Sequence, residues 1–168
     1  MFNFEQMLVA LAEADVQFIL VGGVCSILHG APLLTTDVDI VPNREPDNLL
    51  RLEHALRALN AYYREHPPGR ILPEAARMAG PGHHLLMTSV GPLDVLGVVA
   101  GGRDYAALLP HSSEVKIADG IAIRIVDLPT LIQLKSEAGR EKDRLVLPIL
   151  RRTLEETERM RRERNMDS

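Results

Sequence analysis

The chain has 168 residues, of which 46% are hydrophobic and 25% are charged, and its formal net charge is -4. This balance excludes wholesale disorder and suits one ordinary domain, and the mixed charges give no argument by themselves for nucleic-acid binding. No segment has the pattern of a signal peptide or of a membrane span. The lone Cys25 cannot form an internal disulfide. We therefore expect a cytoplasmic protein that makes no membrane contact.

The first sixty residues alternate between helical and strand patterns. Apolar residues at helical spacing predict helices, and short apolar runs that end at glycine or proline predict strands. Asn3 is the predicted cap of the first helix, and Asn43 or Asp47 that of the third. The predicted elements are a helix over residues 3–14, a strand over 18–21, a short helix over 24–28, a strand over 37–41 and a helix that ends near residue 59.

The second half of the chain contains two predicted hairpins followed by helices. Gly91-Pro92 separates two strand patterns, and Asp119-Gly120, a stronger turn signal, separates two more. Asp127 is the predicted cap of a helix that ends near Gly139. The predicted elements are a loop over residues 60–82 with a short helix near 74–78, strands over 84–89, 93–99, 114–117 and 121–125, and helices over 129–139 and from 142 onward.

This order of elements predicts the α+β class. We expect a mixed sheet with helices packed mainly on one face, and a helical carboxy-terminal segment. We divide the chain into a core over residues 1–126 and a helical segment over residues 127–168 that packs on the core.

Three aspartates predict a metal site. Asp37 and Asp39 are two residues apart in a strand pattern, so their side chains share one face of the sheet, and Asp94 lies in a later strand between apolar neighbours. Crowded carboxylates repel each other unless a cation lies between them, and hard oxygen ligands suit Mg²⁺. Solvent-facing carboxylates are the alternative when each motif is taken alone. Together, Asp37, Asp39 and Asp94 are the predicted metal ligands and catalytic residues of a phosphoryl or nucleotidyl transfer site.

Other residues predict phosphate contacts. Gly22 and Gly23 end a strand and open a helix, where backbone N–H groups can face phosphate oxygens. Ser26 on that helix could contact phosphate, or it could be a small packing residue beside Cys25. Lys135 could neutralise triphosphate charge, and Arg140 and Lys142 could face the same acidic site. The alternative is a solvated helix face with ion pairs to Glu137, Glu141 and Asp143.

The combined motifs resemble the polymerase β-type nucleotidyltransferase superfamily. The segments that carry the resemblance are Leu20-Val21-Gly22-Gly23, Asp37-Val38-Asp39-Ile40 and the distant Asp94. The chain is most similar to small bacterial nucleotidyltransferase-like proteins related to abortive-infection toxins. It shares with them His29-Gly30 before the aspartates and a late segment, Leu134-Lys135-Ser136-Glu137-Ala138-Gly139-Arg140-Glu141-Lys142-Asp143. It departs from them at Leu33, where those proteins often have an arginine.

The resemblance implies a Mg²⁺-dependent enzyme that moves a nucleoside monophosphate from a nucleoside triphosphate onto a hydroxyl and releases pyrophosphate. It implies an RNA or protein acceptor and a possible antitoxin partner. A small acceptor of the aminoglycoside type is the alternative within enzymes. A nucleotide-binding module without turnover is the alternative outside them, and the loss of the arginine at Leu33 favours it.

A pair of tyrosines in the long loop allows two interpretations. Tyr62-Tyr63, with Arg64 and Arg70, could form a surface that stacks on bases and contacts RNA. The tyrosines could equally be packing residues at the end of a helix.

Overall fold

The computed structural model describes residues 3–68 and 71–167 and has an α+β fold with one mixed sheet. In these residues the strands are β1 (Phe18–Val21), β2 (Val38–Pro42), β3 (Tyr62–Tyr63), β4 (His83–Thr88), β5 (Gly91–Leu96), β6 (Ser112–Ala118) and β7 (Ile121–Val126). The helices are α1 (Phe4–Glu13), α2 (Gly22–Leu28), α3 (Pro46–Ala58), α4 (Ala75–Met78), α5 (Tyr105–Leu108), α6 (Leu128–Ala138) and α7 (Glu141–Met166). The predicted α+β class is confirmed.

The register of the sheet places its central strands around the aspartates. The strand order is β3-β4-β5-β2-β1-β7-β6. Strand β2 pairs antiparallel with β1 and parallel with β5, which sets Asp39 opposite Val21 on one side and opposite Asp94 on the other. Directly paired residues project from the same face of a sheet. The register alone therefore brings two of the three predicted site residues side by side.

An aliphatic core holds this sheet in place. All four residues of β1 are buried, so the centre of the sheet is covered on both faces. Helix α1 packs Met7, Leu8 and Leu11 into the core, as its apolar spacing predicts. Complete burial of a leucine or isoleucine side chain contributes roughly 1.5–3 kcal/mol. The buried centre of the sheet therefore holds in place the strands that carry Asp39 and Asp94.

Several predicted helix ends are confirmed. Asn3 caps α1, with its side chain accepting a hydrogen bond from the backbone N–H of Gln6 at 3.0 Å. Asp127 caps α6 by accepting from the N–H of Thr130 at 2.8 Å. Gly139 ends α6 in the left-handed conformation, with φ of 62°, where glycine is favoured because it lacks a Cβ.

Other boundaries differ from the predictions. Neither Asn43 nor Asp47 caps α3, because the helix begins with Pro46, which needs no hydrogen-bond partner for its nitrogen, and its N-cap is Glu45. Helix α2 begins at Gly22, two residues earlier than predicted, and β2 begins at Val38, one residue after Asp37.

The long loop of residues 60–82 contains more structure than predicted. The two-residue strand β3 pairs with β4, although so short a segment gives no periodic signal. Helix α5, which lies beyond this loop, is also absent from the predictions, because a single turn capped by Asp104 carries only a local pattern.

The division of the chain at residues 126 and 127 stays a prediction. In the described part of the chain, no helix is both long and apolar enough to cross a bilayer.

Candidate active site

Three carboxylates meet on one face of the sheet. Asp37, Asp39 and Asp94 each offer one oxygen, and these oxygens lie within 4.8 Å of one another. Asp39 and Asp94 are paired residues of β2 and β5, and Asp37 immediately precedes β2. Asp94 is 8% exposed, whereas the other two are half-buried. The structure thus brings together all three aspartates that the sequence singles out.

The glycine turn fits closely under this cluster. Gly22 has a φ of +74°, and a Cβ built on it would lie 2.0 Å from Oδ2 of Asp39. A Cβ on Gly23 would lie 2.5 Å from Oγ1 of Thr35. Side chains at these two positions would therefore displace groups of the acidic site. Both glycines are needed for close approach, and Gly22 is also needed for its left-handed backbone conformation.

Thr35 supports the first aspartate. Its hydroxyl lies 3.2 Å from the backbone oxygen of Asp37 and 3.3 Å from Oδ1 of the same residue, and it can donate to either. Leu33 packs partly against the core, whereas Leu34 is fully exposed. The segment before β2 therefore brings a hydroxyl, but no cation, to the aspartates.

The carboxylates oppose each other's ionisation. Burial, and after it the neighbouring charges of Asp37 and Asp94, raise the pKa of Asp39 to about 7. Lys135 and Lys142 act in the opposite direction. The pKa of Asp94 is also raised, mainly by burial, although the Arg64 guanidinium acts against the rise. A cation between the carboxylates would relieve this cost.

Arg64 forms an ion pair with the third aspartate. Its Nη1 lies 2.7 Å from Oδ1 of Asp94, and its Nη2 donates to Oδ2 at 3.4 Å. The backbone N–H of Arg64 also donates to the carbonyl of Leu85, the residue paired with Asp94 on β4. Position 64 is therefore fixed beside Asp94 by its main chain.

A second charged cluster lies where α6 meets α7. Asp143 is fully buried, and its carboxylate accepts from Lys135 Nζ at 3.3 Å and from Arg140 Nε at 2.6 Å. Burial alone would raise the pKa of Asp143, but the hydrogen bonds and charges of Arg140 and Lys135 lower it, so the group is ionised. This arrangement differs from the solvated helix face weighed for Lys135 and Arg140, since the acidic partner is inside the protein.

Two other residues have structural partners. Ser26 is fully buried and donates to the carbonyl of Gly22 at 3.0 Å, a placement that favours packing over phosphate contact. His29 donates from Nε2 to the carbonyl of Val126 at 2.8 Å, and Cys25 makes a weaker contact with the same oxygen. Both bonds tie α2 to the end of β7.

The tyrosine pair is part of the sheet edge. The Tyr63 hydroxyl lies 2.7 Å from Nδ1 of His84, and the two rings meet edge to face. These contacts favour packing for Tyr63. Arg70, which belonged to the same hypothesis, lies outside the described residues.

Sequence reasoning missed Arg64 and Asp143 as parts of the site. Arg64 lies 30 residues from Asp94 in a segment without a periodic pattern, so no local signal pointed to the pair. From the sequence alone, Asp143 is expected only as a surface ion-pair partner. Its position in the first turn of a helix beside Arg140 and Lys142 is typical of exposed charges, and only the packing of α6 on α7 shows that it is buried.

The aspartate cluster fits a divalent cation. Its donors are carboxylate oxygens, which suit Mg²⁺. Oδ1 of Asp94 is buried and, although Arg64 lies near it, accepts no well-directed hydrogen bond from the described residues. Three mutually repelling carboxylates and a buried acceptor without an aligned donor are the features that a bound cation would satisfy.

Comparisons with known proteins agree with this fold. No family model matches the sequence, and no curated protein matches it. Among solved structures, the chain is similar to a protein from Thermotoga maritima described as a candidate nucleotidyltransferase, with a TM-score of 0.54 and 15% identity. The similarity covers 99% of this chain and 96% of that one. The chain therefore has a nucleotidyltransferase-like fold, and its acidic triad could hold a metal ion.

The stability of the metal-free chain is expected to fall as pH rises through about 7. Asp39 has a pKa of about 7 in the fold against 3.8 as a free side chain, so between these values the folded state binds more protons than the unfolded one. The loss from pH 5.5 to pH 8 is on the order of 2 kcal/mol. Thermal melts with a chelator present measure it.

The aspartate contribution can be separated from that of other titrating groups. Asp39→Asn is expected to remove most of this pH dependence, because the amide does not titrate. Addition of Mg²⁺ at pH 8 is expected to restore wild-type stability. A pH profile that is the same in wild type and Asp39→Asn would contradict the expectation.

Proposed function

We propose that the chain is a Mg²⁺-dependent nucleotidyltransferase that moves a nucleoside monophosphate from a nucleoside triphosphate onto a hydroxyl acceptor and releases pyrophosphate. The observation that carries the proposal is the approach of Asp37, Asp39 and Asp94 to within 4.8 Å beside the glycine turn. The nucleotidyltransferase-like fold supports the same class of reaction.

Each aspartate has a proposed role. Asp37, Asp39 and Asp94 would hold the metal, which when bound would neutralise charge on the triphosphate and on the attacking and leaving oxygens. Asp94 would also receive the proton of the acceptor hydroxyl. The acceptor oxygen then forms a bond to the α-phosphorus, and the bond between that phosphorus and the pyrophosphate oxygen breaks.

The remaining predicted residues would bind the phosphates. Gly22 and Gly23 form the first turn of α2 beside Asp39, where backbone N–H groups could face phosphate oxygens. Lys135 is close enough to Asp39 to lower its pKa, which supports a role for this lysine in offsetting triphosphate charge. Ser26 would act indirectly, because its buried hydroxyl donates to the carbonyl of Gly22 and so supports the glycine turn.

For the acceptor we propose RNA or protein, with an antitoxin-like partner, on the strength of the motif resemblance alone. The position of Arg64 beside Asp94 disfavours the alternative of an aminated small molecule. The ammonium groups of such an acceptor would be repelled by the Arg64 guanidinium at the carboxylate of Asp94. A protein without turnover is the other alternative, and the transfer assay distinguishes it.

The proposal predicts Mg²⁺-dependent transfer of labelled nucleotide. Each of ATP, GTP, CTP and UTP, labelled at the α-phosphate, is incubated with the chain, Mg²⁺ and cell RNA, total protein or aminoglycosides. We expect label on RNA or protein, release of an equal amount of pyrophosphate, and loss of both with a chelator. Binding of a nucleotide without release in every mixture would favour the non-catalytic module. Absence of both binding and release would contradict the nucleotidyltransferase class.

A further inference from the structure

The carboxylate of Asp143 is unusual because it is completely buried outside the aspartate cluster. In the described residues, Asp143 and Asp94 are the two buried side chains that carry charge, and Asp143 has 0% exposure. An unpaired buried carboxylate is costly, so its partners determine what it does.

The partners of Asp143 come from both sides of a helix corner. Lys135 lies in the last turn of α6, Arg140 is the N-cap of α7, and Gly139 makes the turn between them. Lys135 Nζ and Arg140 Nη2 each donate to Oδ1 at 3.3 Å, and Arg140 Nε donates to Oδ2 at 2.6 Å. One carboxylate thus fixes two cationic side chains, and its hydrogen bonds offset the rotamer entropy that their ordering costs.

These two cations act on the aspartate cluster. Helix α6, which carries Lys135, packs against α2, and α2 begins at Gly22 in direct contact with Asp39. The charges of Lys135 and Arg140 both interact with that of Asp39. Lys135 forms its ion pair with Asp143, and among the described residues no other carboxylate lies within 4.0 Å of its Nζ. The buried carboxylate therefore keeps the lysine near the metal-binding aspartates without letting it pair with them.

We propose that Asp143 is a positioning residue that holds Lys135 and Arg140 where their charges meet the β- and γ-phosphates of the substrate. The inference rests on the proposed nucleotidyltransferase function. Without Asp143, the flexible lysine would be free to turn toward Asp37 and Asp39, where it would compete with the metal and leave the terminal phosphates unneutralised. Asp143 itself touches neither substrate nor metal.

The test compares nucleotides that differ only in their phosphates. Calorimetry with Mg²⁺ uses the α,β-methylene analogues of the four triphosphates; the analogue that wild type binds most tightly is compared with its monophosphate. In Asp143→Asn, the ratio of the monophosphate Kd to the triphosphate Kd is expected to fall about tenfold, since a charge-assisted contact to the terminal phosphates is lost. Monophosphate binding is expected to stay close to wild type.

The coupling to Lys135 gives a second readout. Asp143→Asn is expected to have much less effect on the ratio in a Lys135→Gln background, because the residue through which it acts is absent. A lower melting temperature with equal weakening of both nucleotides would indicate a purely structural role and overturn the proposal. Full retention of the ratio in Asp143→Asn would also overturn it.

Two further variants keep the test decisive. If Asp143→Asn does not fold, Arg140→Gln replaces it, because the Arg140 side chain is 60% exposed and its loss should be tolerated by the fold. A smaller fall in the ratio of the two Kd values is then expected. An unchanged ratio overturns the proposal. Glu156→Gln, which removes the surface pair with Arg152 on α7, is the matched control and should leave the ratio unchanged. Failure of wild type to bind any triphosphate would overturn the proposed function, and this inference with it.

Discussion

Replacing Asp37 and Asp39 together by asparagine is expected to lower nucleotide transfer by roughly a thousandfold or more, because the metal site loses two of its three anionic ligands. The same double variant should leave the thermal stability of the metal-free chain unchanged or raised. Asp39 is half-buried beside two like charges, and an amide of the same size removes that repulsion. Transfer is measured with the labelled triphosphate and acceptor found for wild type, and stability by thermal melts with a chelator.

The combination of lost activity and retained stability distinguishes a functional site from a structural one. Asp119→Asn is a suitable control, because Asp119 lies exposed in the turn between β6 and β7 and pairs there with Lys116. In the sheet order, β7 and β1 separate β6 from the β2–β5 pair that carries Asp39 and Asp94. It should change neither measurement. Unchanged transfer by the double variant would defeat the assignment, and a large drop in melting temperature would show that the carboxylates serve the fold.

Gly22→Ala is expected to destabilise the chain by about 3 kcal/mol and to abolish metal binding. The left-handed backbone at φ +74° costs an alanine about 1–2 kcal/mol. The new Cβ would also lie 2.7 Å from Cγ and 2.9 Å from Cβ of Asp39. Rotation of the Asp39 side chain can move Cγ but not Cβ, so β2 itself must shift and carry the carboxylate with it. Denaturant unfolding and Mn²⁺ titration measure the two effects.

Gly120→Ala is a closely matched control for this substitution. Gly120 has a φ of +72°, almost the same as that of Gly22, but nothing lies within 4 Å of a Cβ built on it. The control should lose only the backbone cost of about 1–2 kcal/mol and keep metal binding intact. The difference between the two variants therefore measures the contact with Asp39. Equal losses in both variants, with metal binding retained, would show that the glycine turn has no special fit to the carboxylate.

The acidic triad could be predicted from sequence because its signals are local. Asp37 and Asp39 project from one face through the two-residue period of a strand, and the apolar residues around Asp94 identify a third strand. The caps at Asn3 and Asp127 follow from the residue types that accept hydrogen bonds from a helix terminus. Even so, only the parallel register of β2 and β5 places Asp94 beside Asp39, and pairing between distant strands has no local signal.

The parts of the site that were not predicted depend on tertiary packing. Arg64 reaches Asp94 because β3 pairs with β4 at the edge of the sheet. This strand has only two residues, too few to give a periodic pattern in the sequence. Asp143 looks like a surface residue in a charged helix, and its burial arises only when α7 folds back on α6 after the turn at Gly139. Ser26 was placed near the phosphates by its position on α2, but its inward direction depends on how that helix packs.

The central claim is that a divalent cation binds between Asp37, Asp39 and Asp94. Anomalous diffraction from crystals grown with Mn²⁺ and the tightest-binding α,β-methylene nucleotide tests this claim most directly. We expect a manganese peak in contact with oxygens of all three residues, with the triphosphate on the side of Gly22. A cluster that stays free of manganese while nucleotide is bound, or a metal held elsewhere on the chain, would contradict it.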